Sequence, residues 1–306
     1  MCLISKKVFK TMFMRNPNAT HEHDNDLDNP QRDKLMGPNF PDYVATKIET
    51  QEKFGALPFE LFTITSEEGL KLVGRLYRNP KKTDKTVIMI HGYNSYGIRE
   101  YCYTGFKYIE AGYNLFLPDN RACGDSEGVY CTFGIKESED LKLWIAQVNT
   151  LFPQGEIILQ GTSLGGATVL LLSNQDIPKN VKAIISDCAY STMTKEFTYL
   201  AKYLANLPAF PVLNFVEMYF KRYAGCDFKS QSPLKSVAKS KLPILFIHGE
   251  EDRFIPKAQC QELYDNCTSE KEILYVPKAG HVGAYVQGKD TYYKTTLNFM
   301  KKYLSK

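Results

Sequence analysis

The sequence lacks the charge blocks and the export signal that mark several classes of protein. Its formal net charge of +4 is spread over 306 residues, with no block of five or more like charges. It therefore lacks the electrostatic footprint of a nucleic-acid-binding protein. Charges interrupt the apolar N-terminal residues too often for a signal peptide or a membrane-spanning helix. These absences predict a cytoplasmic protein that does not bind nucleic acid.

Cysteine is present without a recognisable pattern. The eight cysteines include no CxxC pair and no zinc-ligand spacing. Reduced thiols are the simpler prediction, because no export signal is recognisable, and a bridge between Cys188 and Cys226 is the alternative.

Neither a cofactor motif nor a metal site is predicted. With 43% apolar and 24% charged residues, the chain has the composition of a globular protein with one large domain.

Residues 1–58 are predicted to form a helix followed by a wrapping arm. Basic and apolar residues alternate between Lys6 and Arg15, as in a short amphipathic helix. We expect this helix to pack on the domain, and a weak contact with a membrane surface is the alternative. The following stretch, 21–42, is polar and contains three prolines. Its early His and Asp side chains are interpreted as solvated rather than metal-binding, since no second cluster completes a coordination shell; they are His21, His23, Asp24 and Asp26.

Eight short β-type runs follow the arm, with helical segments between most of them. The runs are "FELFTITS", "KLVGRLYR", "TVIMIHG", "YNLFLPD", "EIILQG", "VKAIISD", "PILFIHG" and "EILYVP". The later runs are continuously apolar, as in strands buried on both faces of a parallel sheet. The turn-like "EEG" between the first two runs suggests an antiparallel edge. The prediction is an α/β fold with a mostly parallel eight-stranded sheet flanked by helices.

The segment after the sixth predicted strand interrupts this rhythm. Residues 190–228 contain ten Tyr or Phe, with "LPAFP" near the centre. An insertion there would lie over the carboxyl ends of the strands, where open α/β sheets bind ligands. We therefore predict a small helical cap at 190–239, inserted into a core formed by 59–189 and 240–306. Most of its aromatic side chains would form the core of the cap itself.

Ser163 has the context of a nucleophile. The strand "EIILQG" ends just before Thr162, and a helix "GGATVLLLS" begins shortly after Ser163. This is the strand-turn-helix arrangement of a nucleophile elbow, in which Gly161 and Gly165 permit a strained turn. The G-x-S-x-G spacing by itself is weak evidence, but in this setting it is strong.

A serine nucleophile needs a base and an acid to orient that base. Among five histidines, His281 lies in a glycine-flanked loop after the last strand and follows the acid candidates, in the chain order Ser, Asp, His. Asp252 is favoured as the acid because of its position after the seventh strand. Asp187, after the sixth strand, is its rival. The other candidates are interpreted as solvent-facing carboxylates or buried structural imidazoles; they are Glu250, Glu251, His91 and His248.

Acyl transfer also needs hydrogen-bond donors for the oxyanion. The backbone N–H of Leu164, immediately after the nucleophile, is the first candidate. The backbone N–H of Tyr93, in the glycine turn "HGYNSYG" after the third strand, is the second. A contact from the Tyr93 hydroxyl is a weaker hypothesis.

From about Phe59 onward the chain resembles the α/β-hydrolase superfamily. It is most similar to the bacterial branch of serine hydrolases and esterases related to prolyl-oligopeptidase-like enzymes and cinnamoyl or feruloyl esterases. The motifs that carry this resemblance are "IHGYNSYG", "PDNRACGDSEG", "GTSLGG", "IHGEEDRFIP" and "AGH". The resemblance implies a triad of Ser163, Asp252 and His281, with the Tyr93 and Leu164 amides as the oxyanion hole. It also implies a structural role for the loop "DNRACGDSEG", where Cys123 replaces the histidine common in relatives.

The resulting prediction is a serine carboxylesterase that cleaves small or aromatic acyl esters. A peptidase or amidase of the prolyl-oligopeptidase-like type is the alternative, and a ligand-binding homologue without turnover is a third hypothesis. The expected partner is a small-molecule ester substrate. The sequence makes no prediction of acyl chain, alcohol group or oligomeric state.

Overall fold

The computed structural model describes residues 2–16, 36, 50–203, 206 and 208–305, and its framework is one eight-stranded sheet. The strands lie in the order β1-β2-β4-β3-β5-β6-β7-β8. Their bounds are β1 Glu60–Thr65, β2 Lys71–Tyr77, β3 Lys85–Ile90, β4 Asn114–Pro118, β5 Glu156–Thr162, β6 Val181–Asp187, β7 Ile244–Gly249 and β8 Lys271–Val276. The pairs β1–β2 and β2–β4 are antiparallel and all other pairs are parallel. The predicted fold class, including the antiparallel edge, is confirmed.

Helices cover both faces of this sheet. They are α1 Cys2–Phe13, α2 Gly97–Glu110, α3 Ile135–Leu151, α4 Leu164–Leu171, α5 Met193–Tyr203, α6 Ala209–Ala224, α7 Pro233–Val237, α8 Lys257–Asn266, α9 Ala284–Gln287 and α10 Lys289–Tyr303. Side chains alternate across β3, so Val87 and Met89 enter one core while Ile88 and Ile90 enter the other. Two-sided burial explains why the central strands are continuously apolar.

Three helices, α5 to α7, lie between β6 and β7, in the segment predicted as a cap. Helix α1 packs against α6, and Phe9 and Phe13 of α1 are buried there among aromatic rings. Leu3 and Ile4, at the start of α1, are exposed. Within the described ranges, no helix combines the length and the apolarity needed to cross a bilayer. Contact of α1 with a membrane surface stays a prediction.

The seven cysteines whose side chains are described are free thiols, and all are buried. Cys188 and Cys226 are among them, so the alternative of a bridge between these two residues is wrong. The proposed solvated cluster of His21, His23, Asp24 and Asp26 lies outside the described residues.

Candidate active site

Ser163 occupies the sharp turn between β5 and α4. Its φ of 55° and ψ of −115° lie in a region that L-residues rarely adopt. A Cβ on Gly161 would collide with the carbonyl oxygen of Gly165, and a Cβ on Gly165 would collide with that of Ile90. The chain can make this turn only because both positions are glycine. Ser163 is thereby held at the carboxyl end of the central strands.

The structure brings Ser163, His281 and Asp252 together as a hydrogen-bonded chain. The Ser163 hydroxyl lies 2.9 Å from Nε2 of His281, and Nδ1 of His281 lies 2.7 Å from Oδ2 of Asp252. All three side chains are buried. The second carboxylate oxygen, Oδ1, accepts the backbone N–H groups of Phe254 and Ile255 at 2.9 and 2.8 Å. Asp252 is therefore fixed by its own loop while it orients the imidazole.

The surroundings of His281 favour proton acceptance. Burial alone would lower the pKa of His281, but the charge of Asp252 and the hydrogen bond to it outweigh that effect and raise the pKa. The Phe254 ring stacks on the imidazole, with a centroid distance of 4.9 Å. The backbone N–H of His281 donates to the carbonyl of Met36, at 2.6 Å, so a residue of the N-terminal arm also holds this loop. These contacts fix both the ring plane and its tautomer.

The rival acid, Asp187, faces a different partner. Its Oδ2 accepts the hydroxyl of Tyr292 at 3.0 Å, and its backbone carbonyl accepts the N–H of Ser163 at 2.7 Å. Asp187 therefore supports the elbow, whereas Asp252 holds the histidine. Glu250 and Glu251 are exposed, as expected from their positions in the loop.

The two other histidines of the core have structural partners. His91 Nε2 accepts the backbone N–H of Asn120 at 2.8 Å, and Nδ1 lies 2.7 Å from the carbonyl of Gly92. His248 Nε2 lies 2.8 Å from the carbonyl of Ile255. Burial lowers the pKa of both imidazoles and so favours their neutral forms.

The proposed oxyanion donors, the backbone N–H groups of Leu164 and Tyr93, belong to two segments next to Ser163. Leu164 is the first residue of α4, so its N–H is one of the unpaired donors at a helix N-terminus. A Cβ on Gly92 would come within 3.4 Å of Cβ of Ser163, which places the turn before Tyr93 against the nucleophile. The Tyr93 hydroxyl donates instead to the carbonyl of Thr11 in α1, at 3.1 Å. The hypothesis of a contact from this hydroxyl to the oxyanion is therefore not supported.

The loop after β4 is held by buried ion pairs. Asp119 accepts Nη1 of Arg75 at 2.8 Å, and Arg121 binds both carboxylate oxygens of Asp140 at 2.7 Å. Cys123 is buried in this loop, and burial raises its pKa to about 12. A neutral, packed thiol at Cys123 agrees with a structural loop.

A buried polar cluster beside the site was not foreseen from the sequence. Glu196 of α5 accepts Nε2 of Gln259 at 2.7 Å, and Oε1 of Gln259 accepts the N–H of Ser191 at 2.9 Å. Burial raises the pKa of Glu196 to about 8. The sequence does contain a signal for this burial. Glu196 falls at helical spacing with Met193, Phe197 and Leu200, so it lies on the face of α5 that is buried.

One group of potential metal ligands occurs in the described part of the chain. Ligand atoms of Cys188, Asp252 and His281 lie within 4.8 Å of one another. Asp252 and His281 are already bonded to each other, and burial raises the pKa of the Cys188 thiol well above its usual range. The donor set therefore fits a protonated thiol beside a hydrogen-bonded acid–histidine pair better than a metal site.

Comparison with known proteins finds two matching family models. Residues 85–211 match the model of the alpha/beta hydrolase fold, and residues 160–283 match that of the serine hydrolase family FSH1. The uncharacterized protein YqkD of Bacillus subtilis is 26% identical over 250 residues, which cover 81% of each chain. The alpha/beta hydrolase domain-containing protein WAV2 of Arabidopsis thaliana is 26% identical, over 62% of this chain and 61% of WAV2.

Solved structures agree with these matches. The Pyrococcus furiosus esterase Pf2001 superposes with a TM-score of 0.68 at 25% identity, over 83% of this chain and 94% of the esterase. The Pyrococcus horikoshii acylaminoacyl peptidase superposes with a TM-score of 0.61 at 20% identity, over 83% of this chain and 43% of the peptidase. The elbow serine, the order of the strands and these matches together show the α/β-hydrolase fold and a likeness to the serine hydrolases built on it.

Proposed function

We propose that the protein is a cytoplasmic carboxylesterase that cleaves small or aromatic acyl esters at Ser163. The observation that carries this proposal is the continuous hydrogen-bonded chain from the Ser163 hydroxyl through His281 to Asp252. A buried serine in a strained elbow beside an oriented imidazole has the arrangement that nucleophilic catalysis requires. The similarity to the Pyrococcus furiosus esterase supports ester hydrolysis.

The reaction starts with attack of Ser163 Oγ on the ester carbonyl carbon, as Nε2 of His281 takes the hydroxyl proton. Asp252 stabilises the imidazolium that forms. The backbone N–H groups of Tyr93 and Leu164 donate to the oxyanion of the tetrahedral intermediate. The intermediate collapses to an acyl-enzyme, and the alcohol leaves with the proton from His281. A water molecule activated by His281 then hydrolyses the acyl-enzyme and restores Ser163.

Aromatic side chains beside the site support the acyl preference. Phe133 stacks on Tyr93, with a centroid distance of 5.3 Å, and Phe197 of α5 meets Phe133 edge-on at 5.0 Å. Tyr199 of the same helix donates to the carbonyl of Arg253, next to the acid, at 2.9 Å. Helix α5 thus reaches from the oxyanion side to the acid side. We infer that the aromatic side chains of Phe133, Phe197 and Tyr199 form an apolar wall against which a small or aromatic acyl group binds.

Covalent labelling tests the proposal. Intact-protein mass spectrometry after fluorophosphonate treatment is expected to show one adduct, which disappears in Ser163→Ala. A series of p-nitrophenyl esters should then show turnover that falls at least about 10⁴-fold in that variant. A folded parent protein that forms no adduct and hydrolyses none of these esters would refute the proposal and favour a ligand-binding role.

A peptidase or amidase is the second candidate, and the match to the acylaminoacyl peptidase favours it. That match covers less than half of the peptidase, so it concerns the hydrolase fold alone. Acylaminoacyl and prolyl anilides discriminate, because an amide leaving group must be protonated by His281 as it departs. Turnover of anilides at rates near those of the matching esters would favour the peptidase.

A further inference from the structure

A small cavity lies behind the active site, between α2, β5, β6 and the loop that carries His281. Its volume is about 20 Å³, and its walls include Glu100, Thr104, Thr162 and Asp187. A space of this size holds one water molecule or one small ion. It is therefore too small for a substrate.

Two oxygens in the walls of this cavity have no partner. Asp187 is 4% exposed and Thr104 is 5% exposed, yet Oδ1 of Asp187 and Oγ1 of Thr104 make no hydrogen bond. Buried polar atoms are nearly always satisfied, because an unpaired one costs about 1–3 kcal/mol. Two unpaired oxygens beside one cavity point to a shared ligand.

The remaining wall groups present mainly lone pairs. The Tyr101 hydroxyl donates its proton to the carbonyl of Ile90 at 2.6 Å, and the Tyr292 hydroxyl donates to Asp187 at 3.0 Å. Both hydroxyl oxygens therefore act as acceptors towards other groups: that of Tyr292 accepts Nε2 of Gln160 at 3.3 Å, and that of Tyr101 lies 3.2 Å from the Thr162 hydroxyl. The polar side-chain atoms of the wall are carboxylate and hydroxyl oxygens, which suit a hard cation, and Val282 and four tyrosines belong to the same wall.

The charge balance also calls for a cation. Asp187 and Glu100 both line the cavity, and neither forms an ion pair with Lys or Arg within the residues described. Buried carboxylates are normally paired with a cation or protonated. Burial raises the pKa of Asp187 to about 7, against the opposing effects of the hydrogen bond from Tyr292 and of the nearby His281.

We propose that this cavity binds one alkali cation, Na⁺ or K⁺, between Asp187, Glu100 and the hydroxyls of Thr104 and Thr162. Divalent ions fit less well, because Mg²⁺ retains several waters and Ca²⁺ takes six to eight oxygen ligands. A single ion of lower charge matches a cavity of this size with one unpaired carboxylate oxygen.

The site would stabilise the catalytic geometry. Thr162 immediately precedes Ser163, the carbonyl of Asp187 accepts the N–H of Ser163, and Val282, also in the wall, follows His281. A bound cation would therefore hold the two loops that carry the nucleophile and the base. The expected consequence is a more stable fold and a more reactive Ser163.

Thermal unfolding tests this proposal without relying on hydrolysis. The full-length protein is exchanged into tetramethylammonium chloride and titrated with NaCl or KCl at constant ionic strength. Either alkali cation is expected to raise the unfolding temperature saturably, by about 2–4 °C. The rate of fluorophosphonate labelling of Ser163 should rise with the same midpoint. The unfolding temperature is measured without any ester substrate. A failure of the cation proposal can therefore be distinguished from a failure of the proposed esterase activity.

Variants identify the site. Asp187→Asn should remove the cation response, and the isosteric Thr104→Val should raise the midpoint concentration. Asp176→Asn, at an exposed loop position, should respond like the parent. If Asp187→Asn does not fold, Thr104→Val decides the matter. Equal unfolding temperatures in all three salts, an unchanged response in Thr104→Val, or saturation at lower concentrations of Ca²⁺ or Mg²⁺ would each overturn the proposal.

Discussion

The backbone N–H of Ser163 donates to the carbonyl oxygen of Asp187, with an N–O distance of 2.7 Å. This bond continues the parallel pairing of β5 with β6, in which Thr162 lies opposite Asp187. The nucleophile is thus tied to the neighbouring strand at the point where its own strand turns away. A strained backbone conformation of this kind persists only where several surrounding contacts hold it in place.

Gly165→Ala tests how far the elbow depends on close backbone approach. A methyl group there would overlap the carbonyl oxygen of Ile90, so β3 and α4 would have to separate. We expect a loss of about 1–3 kcal/mol or more in the free energy of unfolding and loss of fluorophosphonate labelling. Chemical denaturation and mass spectrometry measure the two effects.

Gly55→Ala is the matched control. A Cβ at Gly55 would lie 3.8 Å from Ile98, an ordinary contact, so this change should leave labelling intact. Labelling that survives in Gly165→Ala at the parent rate would show that the turn relaxes without cost to the site.

A pair of aspartate variants separates the two acid candidates. Asp252→Asn removes the acceptor that fixes the His281 tautomer, so ester kcat/KM should fall by about 10⁴-fold in a folded protein. Asp187→Asn keeps that contact. The fall in kcat/KM in this variant should be at least a hundredfold smaller than the fall in Asp252→Asn. Steady-state kinetics with a shared ester and far-UV circular dichroism provide the comparison. The reverse order of severity would make Asp187 the acid.

Much of the fold could be predicted from the sequence because buried parallel strands need uninterrupted apolar residues. "TVIMIHG" and "PILFIHG" therefore indicate β3 and β7 directly. The candidate site followed from chain order and spacing, since Ser163, Asp252 and His281 each come just after a strand. Parallel strands bring their carboxyl ends to one edge of the sheet.

Contacts between distant segments could not be predicted in this way. The carbonyl of Met36, in the arm described as polar, accepts the N–H of His281, and no local pattern encodes that pairing. Similarly, the unpaired oxygen of Asp187 depends on how α2 and α10 close over β6. Such features depend on tertiary packing rather than on periodicity.

The titration of His281 should report the charge of Asp252. In the folded protein the pKa of His281 is raised above its ordinary value of 6.5, against the effect of burial. Asp252→Asn removes the largest effect that raises it, so the pKa should fall. NMR of the imidazole protons measures this pKa directly. Asp176→Asn serves as the control, and a pKa that is unchanged in Asp252→Asn would contradict the assigned ion pair.

Glu196→Gln should flatten the pH dependence of stability. Burial raises the pKa of Glu196 from 4.5 to about 8, so the folded state keeps a proton that the unfolded state releases between these pH values. The free energy of unfolding therefore falls as pH rises through this window, by up to about 1.4 kcal/mol per pH unit from this group. Glutamine cannot ionise, and its amide can still bond Gln259.

Urea denaturation of the parent and Glu196→Gln at pH 5, 6.5 and 8 measures the difference. The variant should gain stability relative to the parent as pH rises, with little difference at pH 5. Glu67→Gln, in the exposed turn between β1 and β2, is the control and should follow the parent at every pH. A Glu196→Gln curve parallel to that of the parent would contradict this expectation, because it would mean that the pKa of Glu196 is the same in the folded and unfolded protein.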